Sequence, residues 1–265
     1  MKAKRHLGQN FLHDFGVLNS IIEASGLTPK DTVVEIGPGR GFLTDELVKK
    51  AGHVIAVELD EDLLPGLKAG YLTNKNFTLV HQDALTYTPP QEPYKLIANI
   101  PYYITSPILN HFLYEQFTDG NPPLLMVLMV QKEVAEKILA KKGKHSVLSL
   151  QVHLFGEPEL VCVVPKHAFH PVPQVDSAVI KIQIYPKPKI KGDLKKLFWL
   201  FHVSFAQKRK KITNNLSSAL RKTPSEIREI LSKLNISPDI RAEDFTLEEW
   251  QKLFNELDGV PCSSL

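Results

Sequence analysis

The segment Asn99-Ile100-Pro101-Tyr102 places an amide, a proline and an aromatic ring directly after the predicted strand Lys95–Ala98. The Asn99 oxygen and a main-chain carbonyl held by Pro101 are hydrogen-bond acceptors, and both can orient an exocyclic amine such as N6 of adenine. The ring of Tyr102 can hold the base by stacking, which is worth roughly 1–3 kcal/mol per base. These residue types indicate chemistry on an amino group of a nucleobase. A proline turn with core aromatic residues is the alternative interpretation.

A glycine-rich turn lies upstream, in VVEIGPGRGFLTDEL (residues 33–47), between a predicted strand and a predicted helix. Its glycines permit positive φ and let a ligand approach the backbone. They are Gly37, Gly39 and Gly41. The dinucleotide fingerprint requires a glycine at the position of Phe42. Because the Glu35 carboxylate repels a pyrophosphate but suits a sulfonium and an ammonium group, the turn favours S-adenosylmethionine (SAM) over a nicotinamide dinucleotide.

Two further acids follow later predicted strands, at the edge where ligands bind in an open α/β sheet. Glu58 ends the strand in HVIAVEL and can accept both hydroxyls of a ribose. Asp83, in VHQDAL, can accept a hydrogen bond from the amino group of adenine. Each acid alone also fits an ordinary loop residue, but both follow the glycine turn at successive strand ends. Together they predict a SAM site.

A methyl donor and an amine held at Asn99 together predict methyl transfer to N6 of adenine. The ammonium product is acidic and loses its proton to water, so catalysis is mainly positioning and needs no strong base. A base in stacked RNA must be flipped out to reach such a pocket. A second ring, Phe169 in HAFHPVPQVDSAVIKI, could sandwich the base opposite Tyr102, or it could anchor its loop in the core.

The order of predicted elements indicates an α/β fold, because strands and helices alternate up to residue 184. The predicted strands are Thr32–Ile36, Val54–Val57, Thr78–Val80, Lys95–Ala98 and Leu124–Val130. The predicted helices are Phe15–Ala24, Gly41–Lys50, Asp62–Gly70, Pro107–Gln116 and Lys132–Ala140, with Ser106-Pro107 as a helix start. Two late strands, Glu159–Val164 and Ser177–Ile184, favour an antiparallel edge pair, whereas Val147–Phe155 fits either a helix or a strand. We therefore expect a Rossmann-like SAM-dependent methyltransferase sheet with helices on both faces.

Beyond YPKPKIKGD (residues 185–193), which is typical of a linker, the pattern is entirely helical. The predicted helices are Leu194–Phe205, Ile212–Leu220, Ser225–Leu234 and Leu247–Leu257, and Thr223 and Thr246 are predicted helix starts. The sequence thus predicts a catalytic domain over residues 1–185 and a small all-helical RNA-docking domain over residues 186–265.

Charge is unevenly distributed, although the formal net charge is only +3. From Pro186 to Lys222 there are eleven Lys or Arg residues and one acid, which fits an electrostatic footprint for phosphates. A solvated helix face is the alternative. The candidate RNA-binding residues form one run, which is Lys208, Arg209, Lys210 and Lys211.

The composition excludes several classes of protein. The chain has 265 residues, of which 43% are hydrophobic, and its longest apolar runs are far shorter than the roughly 20 residues of a membrane span. No apolar core of signal-peptide length is present, so we expect a cytoplasmic protein without membrane contact. Cys162 and Cys262 form no CxxC pair, and we expect neither a zinc site nor any other metal. Pro261-Cys262 resembles the nucleophile of cytosine-C5 methyltransferases, but its place near the chain end favours a frayed tail.

Several segments, in order along most of the chain, resemble the small-subunit ribosomal RNA adenine N6,N6-dimethyltransferase family. They are GQNFLHD, VVEIGPGRGFLT, VIAVELD, QDAL, NIPYYITSPIL, VQKEVAEKI and FHPVPQVDSAV. The resemblance implies that Asn10 and Leu12 contact SAM, together with Gly37, Glu58, Asp83 and Asn99. KGKHSVLSL departs from the family pattern, which usually has Tyr-Gly in that neighbourhood.

The same resemblance implies a substrate and a partner. The substrate is a pair of adjacent adenosines in a hairpin near the 3′ end of small-subunit RNA, each methylated twice within a late assembly intermediate of the subunit. The helical domain then docks on RNA, and we expect the enzyme to act as a monomer. Two alternatives remain open at this point: a large-subunit enzyme of the macrolide-resistance type, and a non-catalytic RNA-binding assembly factor that retains the fold.

Overall fold

The computed structural model describes Lys4, residues 8–207 and residues 209–257. Among these residues, seven strands form one sheet and two short strands form another. The strands are β1 Phe11–Leu12, β2 Thr32–Ile36, β3 His53–Glu58, β4 Phe77–His81, β5 Tyr94–Asn99, β6 Leu125–Gln131, β7 Gly156–Val164, β8 Phe169–His170 and β9 Ser177–Ile184. The small sheet pairs β1 with β8.

The large sheet has the order β4-β3-β2-β5-β6-β9-β7. The strands from β4 to β6 are parallel, whereas β9 pairs antiparallel with both β6 and β7. The predicted antiparallel pairing of the two late strands is therefore confirmed. β2 lies between β3 and β5, so the direction of winding changes there, and such a switch point opens a crevice at the carboxyl ends of the strands. The observed architecture is the expected Rossmann-like methyltransferase sheet.

Helices cover the large sheet. They are α1 Phe15–Ser25, α2 Thr44–Lys50, α3 Leu64–Gly70, α4 Thr105–Leu109, α5 Gln116–Asp119 and α6 Lys132–Ile138, and a π-helical stretch, Asn110–Glu115, joins α4 to α5. The first of them begins at an Asp14 cap, whose Oδ1 accepts the N–H of Val17 at 3.0 Å. Its apolar face packs on the sheet. Ile21 of α1 and Val127 of β6, for example, belong to the same hydrophobic core.

The helix predicted to start at Ser106-Pro107 begins earlier, at Thr105. A 3₁₀ turn, Tyr102–Ile104, runs directly into it, and within the described residues no side chain caps it. The Ile104 N–H donates instead to the Pro101 carbonyl at 3.1 Å. Since the 3₁₀ turn already satisfies this donor, the chain needs no serine cap here.

The described residues divide by their contacts into two compact units. The first contains residues up to 136 together with 156–185, and the second contains 137–155 together with the residues from 186 onward. The ambiguous segment is a helix, α7 Val147–Phe155. Its surroundings join the second unit because the N–H groups of Gly143 and His145 donate to the Glu243 carbonyl and the Leu154 carbonyl accepts the N–H of Lys189.

The second unit is helical, as predicted. Its remaining helices are α8 Leu194–Ser204, α9 Ile212–Leu220, α10 Pro224–Lys233 and α11 Leu247–Leu257. Trp250 is fully buried against Phe201 and Phe245. Thr223 forms a capping box with Glu226, which confirms that helix start.

The segment predicted as a linker, residues 185–193, is anchored within the second unit from residue 186 onward. Ile190 is 2% exposed, and Lys191 exchanges hydrogen bonds with the Gln251 side chain, at 2.7 Å and 3.2 Å. Its alternating prolines and lysines therefore do not make a free spacer. Over the described part of the chain, no helix has both the length and the apolar character needed to cross a membrane.

Candidate functional site

A cavity of ≈ 400 Å³ opens in the first unit at the carboxyl ends of β2, β3 and β5. Its size suits a small organic cofactor. The sequence-predicted residues that line it are Asn10, Leu12, Glu35, Gly37, Gly39, Glu58, Asp83, Asn99, Pro101, Tyr102 and Phe169. Residues 8–13, named here the N-terminal wall, form one side of it. The fold thus gathers nearly all of the predicted cofactor and substrate residues around a single space.

The glycine turn follows β2 and has positive φ at each predicted glycine, 67° at Gly37, 62° at Gly39 and 89° at Gly41. Among the described residues, no heavy atom lies within 4 Å of a Cβ built on Gly37, whereas one on Gly39 meets the ring of Phe11 at 3.2 Å. One on Gly41 collides with the Tyr71 hydroxyl, so Gly41 is required by packing rather than by the cavity. Gly37 is therefore the glycine whose open side faces ligand space.

Glu35 lies at the floor of the cavity, where its side chain is 1% exposed. The Thr44 hydroxyl, at the start of α2, donates to Glu35 Oε2 at 2.7 Å. Burial raises the pKa of Glu35 to about 8; the Thr44 hydrogen bond opposes this rise, and the charges of Glu58 and Asp45 add to it. Without a ligand the carboxyl group is therefore mostly protonated at neutral pH, and a nearby cation favours its ionised form.

Glu58, the last residue of β3, is also buried, at 6% exposure. Its Oε1 accepts the N–H groups of Leu59 and Asp60, at 2.9 Å and 2.8 Å, and its Oε2 accepts that of Gly39 at 3.2 Å. Burial raises the pKa of Glu58, and these hydrogen bonds oppose the rise. A carboxylate has about four acceptor sites, and these three N–H groups leave about one of them, on Oε2, for a ligand hydroxyl.

Asp83 is exposed at the cavity rim, after β4. Its Oδ1 accepts the N–H of Leu85 at 2.9 Å, which shapes a short turn. Its other oxygen can accept a hydrogen bond from a ligand amino group. The predicted role of Asp83 therefore agrees with its position.

Asn99 ends β5 and faces the N-terminal wall. Its Nδ2 donates to the Asn10 carbonyl at 3.2 Å, which orients the amide so that Oδ1 is the atom left to accept from an amine. Tyr102 is half-buried, and its hydroxyl shares a 2.7 Å hydrogen bond with the buried Ser177. Burial raises the pKa of Tyr102, so the phenol stays neutral. Tyr103 is 57% exposed and does not pack in the core.

Phe169, in β8, lines the cavity while being only 1% exposed. Its backbone pairs with Leu12, and its ring belongs to the main hydrophobic core. Phe169 therefore anchors its loop in the core, which is the alternative interpretation of this residue. Base stacking against this ring stays a prediction.

The sequence interpretation missed residues that hold the site together. Ser177 fixes Tyr102, Thr44 fixes Glu35, and Lys4 and Gln9 both reach Asp60. Their types are common in loops and at strand ends, so only the three-dimensional contacts distinguish them. A weak signal exists at Asp60, which sits two residues after Glu58 in VELDED.

The predicted RNA-binding run lies in the second unit, and Lys208 falls outside the described residues. Arg209, Lys210 and Lys211 are all exposed. Lys211 pairs with Asp239 at 2.8 Å, so part of its charge is already compensated.

These features fit SAM as the ligand of the cavity. Gly37 leaves backbone space open, Glu58 keeps acceptor capacity for a ribose hydroxyl, and Glu35 ionises more readily beside a cation. A pyrophosphate, by contrast, would oppose the ionisation of Glu35.

Known proteins resemble nearly the whole chain in sequence. The family model described as ribosomal RNA adenine dimethylase matches residues 1–259. A relative from Dehalococcoides mccartyi (strain CBDB1), named ribosomal RNA small subunit methyltransferase A, is 46% identical over 99% of this chain and 91% of its own length. A protein of the same name from Alkaliphilus metalliredigens is 40% identical over 97% of this chain and 92% of its own.

Two solved structures resemble the fold closely. A dimethyladenosine transferase from Plasmodium falciparum has a TM-score of 0.78 at 26% identity, over 94% of this chain and 97% of that one. The 23S rRNA methyltransferase ErmE has a TM-score of 0.75 at 31% identity, over 94% of this chain and all of that one.

Proposed function

The chain belongs to the ribosomal RNA adenine dimethylase family, and we propose that it dimethylates N6 of two adjacent adenosines in a hairpin near the 3′ end of small-subunit ribosomal RNA. As a member of this family it is a SAM-dependent rRNA adenine N6,N6-dimethyltransferase. The observation that carries the proposal is the position of Asn99-Ile100-Pro101-Tyr102, which opens into the same cavity as the glycine turn, Glu58 and Asp83.

Each cofactor residue has a separate task in this proposal. The cofactor supplies an electrophilic methyl group on a positively charged sulfur. Glu58 accepts a ribose hydroxyl, Asp83 accepts from the adenine amino group, and Gly37 allows the backbone to approach. Glu35 compensates positive charge, since binding a cation favours its ionised form. Asn10 and Leu12, in the N-terminal wall, enclose the cofactor.

The substrate amine is held by acceptors in residues 99–102, named here the reaction loop. Asn99 Oδ1 accepts one N–H of N6 because its Nδ2 is engaged by Asn10, and a main-chain carbonyl held by Pro101 accepts another. Tyr102 stacks on the base, and its hydrogen bond to Ser177 sets the angle of the ring. The N6 lone pair forms the new N–C bond as the C–S bond breaks, and the proton on nitrogen leaves to water. Because positioning is the main contribution, small displacements of this loop have large effects on rate.

The wider setting rests on the same family. We infer a cytoplasmic monomer that needs no metal and acts on an immature small subunit late in assembly. Its first part, up to residue 185, carries catalysis, and the helical part contributes docking through Lys208, Arg209, Lys210 and Lys211. Phe169 supports the base from the side opposite Tyr102.

A methylation assay tests the target. Immature small subunits are incubated with the protein and SAM carrying a labelled methyl group, and the RNA is digested to nucleosides. Label in N6,N6-dimethyladenosine at adjacent positions near the 3′ end is expected. The matched control is Asn99→Ala, which should bind RNA normally and incorporate no label. Absence of label with the wild-type chain would refute the proposed function.

The similarity to ErmE makes a large-subunit target the second candidate. The same assay with large-subunit RNA discriminates, because label in that RNA alone identifies the macrolide-resistance type. A chain that binds RNA but transfers no methyl group to either RNA would instead be a non-catalytic assembly factor.

A further inference from the structure

Asp60 is a buried acid to which the proposed reaction assigns no role. It follows Glu58 by two residues in the loop between β3 and α3, and its side chain is 2% exposed. It lies outside the set of described residues that line the cavity. Because a buried carboxylate is rarely tolerated without partners, its contacts must account for it.

Those contacts reach the beginning of the chain. Asp60 Oδ1 accepts from Lys4 Nζ at 2.5 Å, and Asp60 Oδ2 accepts from Gln9 Nε2 at 2.7 Å. The Lys4 N–H donates to Gln9 Oε1 at 2.8 Å, which closes a ring of three residues. Although burial alone raises the pKa of Asp60, the hydrogen bonds from Lys4 and Gln9 lower it overall, so the group stays ionised.

The hydrogen-bonded ring of Lys4, Gln9 and Asp60 holds one side of the N-terminal wall, and other contacts hold other parts of it. Arg40, in the glycine turn, lies 4.5 Å from the ring centre of Phe11. Asn99 Nδ2 donates to the Asn10 carbonyl. The Asp60 N–H donates to Glu58 Oε1 at 2.8 Å, so the same residue supports the acid proposed to take the ribose. Asp60 thus connects the cofactor acid, the wall and, through Asn10, the reaction loop.

We propose that Asp60 is a positioning residue of the methyl-transfer site: through Lys4 and Gln9 it fixes the N-terminal wall against the cavity and so sets cofactor affinity and the orientation of the Asn99 amide. This inference rests on the proposed cofactor site. When the wall is released, the Asn10 carbonyl leaves Asn99 Nδ2, and the amide can rotate to present a donor where an acceptor is required. Loss of the ring therefore weakens SAM binding and slows transfer without changing the RNA surface.

The test is a double-mutant cycle with Lys4→Met and Asp60→Asn in the full chain. SAM affinity is measured by calorimetry without RNA, and amide hydrogen exchange is followed in the unliganded protein. Each single variant should bind SAM about tenfold more weakly, the effect of one lost hydrogen bond to a charged group. Lys4 Nζ also pairs with Asp62 Oδ2, at 2.6 Å. The losses should therefore be less than additive in the double variant, because the Lys4–Asp60 ion pair is common to both substitutions. Exchange should accelerate in residues 8–13.

Two further variants separate positioning from general stability. Lys4→Arg keeps the ion pair and should restore affinity to within about twofold of wild type. Lys49→Met removes an exposed ion pair with Glu46 and should leave SAM affinity and exchange unchanged. With RNA present, the Asp60 and Lys4 variants should raise KM for SAM and lower kcat, while KM for RNA stays constant.

Wild-type affinity in both single variants, or losses that add in the double variant, would overturn the proposal. If Asp60→Asn does not fold, Lys4→Met decides alone, since the Lys4 side chain is 32% exposed and its loss leaves the core intact. The proposed function fails differently: normal SAM binding with no methylation of small-subunit RNA refutes the target and leaves the role of Asp60 standing.

Discussion

Replacing Glu35 with glutamine removes a buried charge and leaves the shape of the side chain nearly unchanged. The carboxyl group is 1% exposed and accepts one hydrogen bond, from Thr44 at 2.7 Å. A glutamine oxygen can accept the same hydrogen bond. The substitution therefore isolates the effect of ionisation at this position.

The magnitude follows from the pKa, which burial raises from 4.5 to about 8. The folded state binds this proton more tightly than the unfolded state, so the free energy of unfolding falls as pH rises from 4.5 to 8 and is unaffected outside that window. With about 1.36 kcal/mol for each pKa unit, ionisation of Glu35 costs about 5 kcal/mol well above pH 8 and about 3 kcal/mol near pH 7. Glu35→Gln lacks this dependence.

Urea unfolding at a series of pH values tests the calculation. The variant should gain about 3 kcal/mol over the wild type between pH 5 and pH 8. Glu23→Gln, at an exposed position of α1, is the control and should differ from wild type by less than about 0.5 kcal/mol throughout. Parallel curves for wild type and Glu35→Gln would refute the reasoning.

The same group should report cofactor binding. At pH 7 a carboxyl group with a pKa of about 8 is about nine-tenths protonated. A bound cation lowers this pKa, so SAM binding to the wild type should release protons, measurable by calorimetry in buffers of different ionisation enthalpy. Glu35→Gln should lose this release, and an unchanged release would show that the cation does not lie near Glu35.

Four further sets of substitutions have specific expected outcomes. Asn99→Ala should keep RNA binding in a filter assay and abolish methyl transfer, and retained turnover would remove Asn99 from the mechanism. Gly37→Ala should lower the free energy of unfolding by about 1–2 kcal/mol because φ is positive at this position. It should also abolish SAM binding, measured by calorimetry, because the added methyl group enters open ligand space. Normal SAM affinity would contradict this. Ser177→Ala and Tyr102→Phe should each slow methyl transfer several-fold, and the double variant should lose no more. Additive losses would mean that the hydrogen bond between Tyr102 and Ser177 does not matter. Charge reversal at residues 209–211 should weaken RNA binding and flatten its salt dependence, whereas an unchanged slope would identify a solvated face.

The elements around the site could be predicted because their signals are local. The strand before Gly37 is apolar apart from Thr32 and Glu35, and Glu58 and Asn99 each end an apolar run. Parallel strands bring their carboxyl ends to one edge, so order along the chain was enough to place these residues together. The glycine turn disfavoured a dinucleotide because the third glycine of the fingerprint is missing and because Glu35 precedes the turn.

What could not be predicted depends on contacts between distant segments. In VELDED the acids Glu58, Asp60 and Asp62 look interchangeable. Yet the first accepts backbone N–H groups, the second is buried and binds both Lys4 and Gln9, and the third is exposed and pairs with Lys4. The segment 137–155 joins the helical unit through backbone bonds that leave no trace in side-chain type. Phe169 has the same sequence signal whether it stacks on a base or fills the core.

The crevice brings acids together before any cofactor arrives, and the chain deals with each by a different physical means. Burial is the main cause of the raised pKa of both Glu35 and Glu58. The charge of Glu58 adds to the rise at Glu35 and the charge of Asp60 adds to the rise at Glu58, so these groups repel one another when ionised. Glu35 avoids repulsion by holding a proton, Glu58 is stabilised by main-chain donors, and Asp60 is paired with Lys4. A positively charged ligand directly lowers the free-energy cost of ionising Glu35, which a neutral or anionic ligand cannot do. The same electrostatics that make the empty site unfavourable at high pH therefore select a cationic methyl donor.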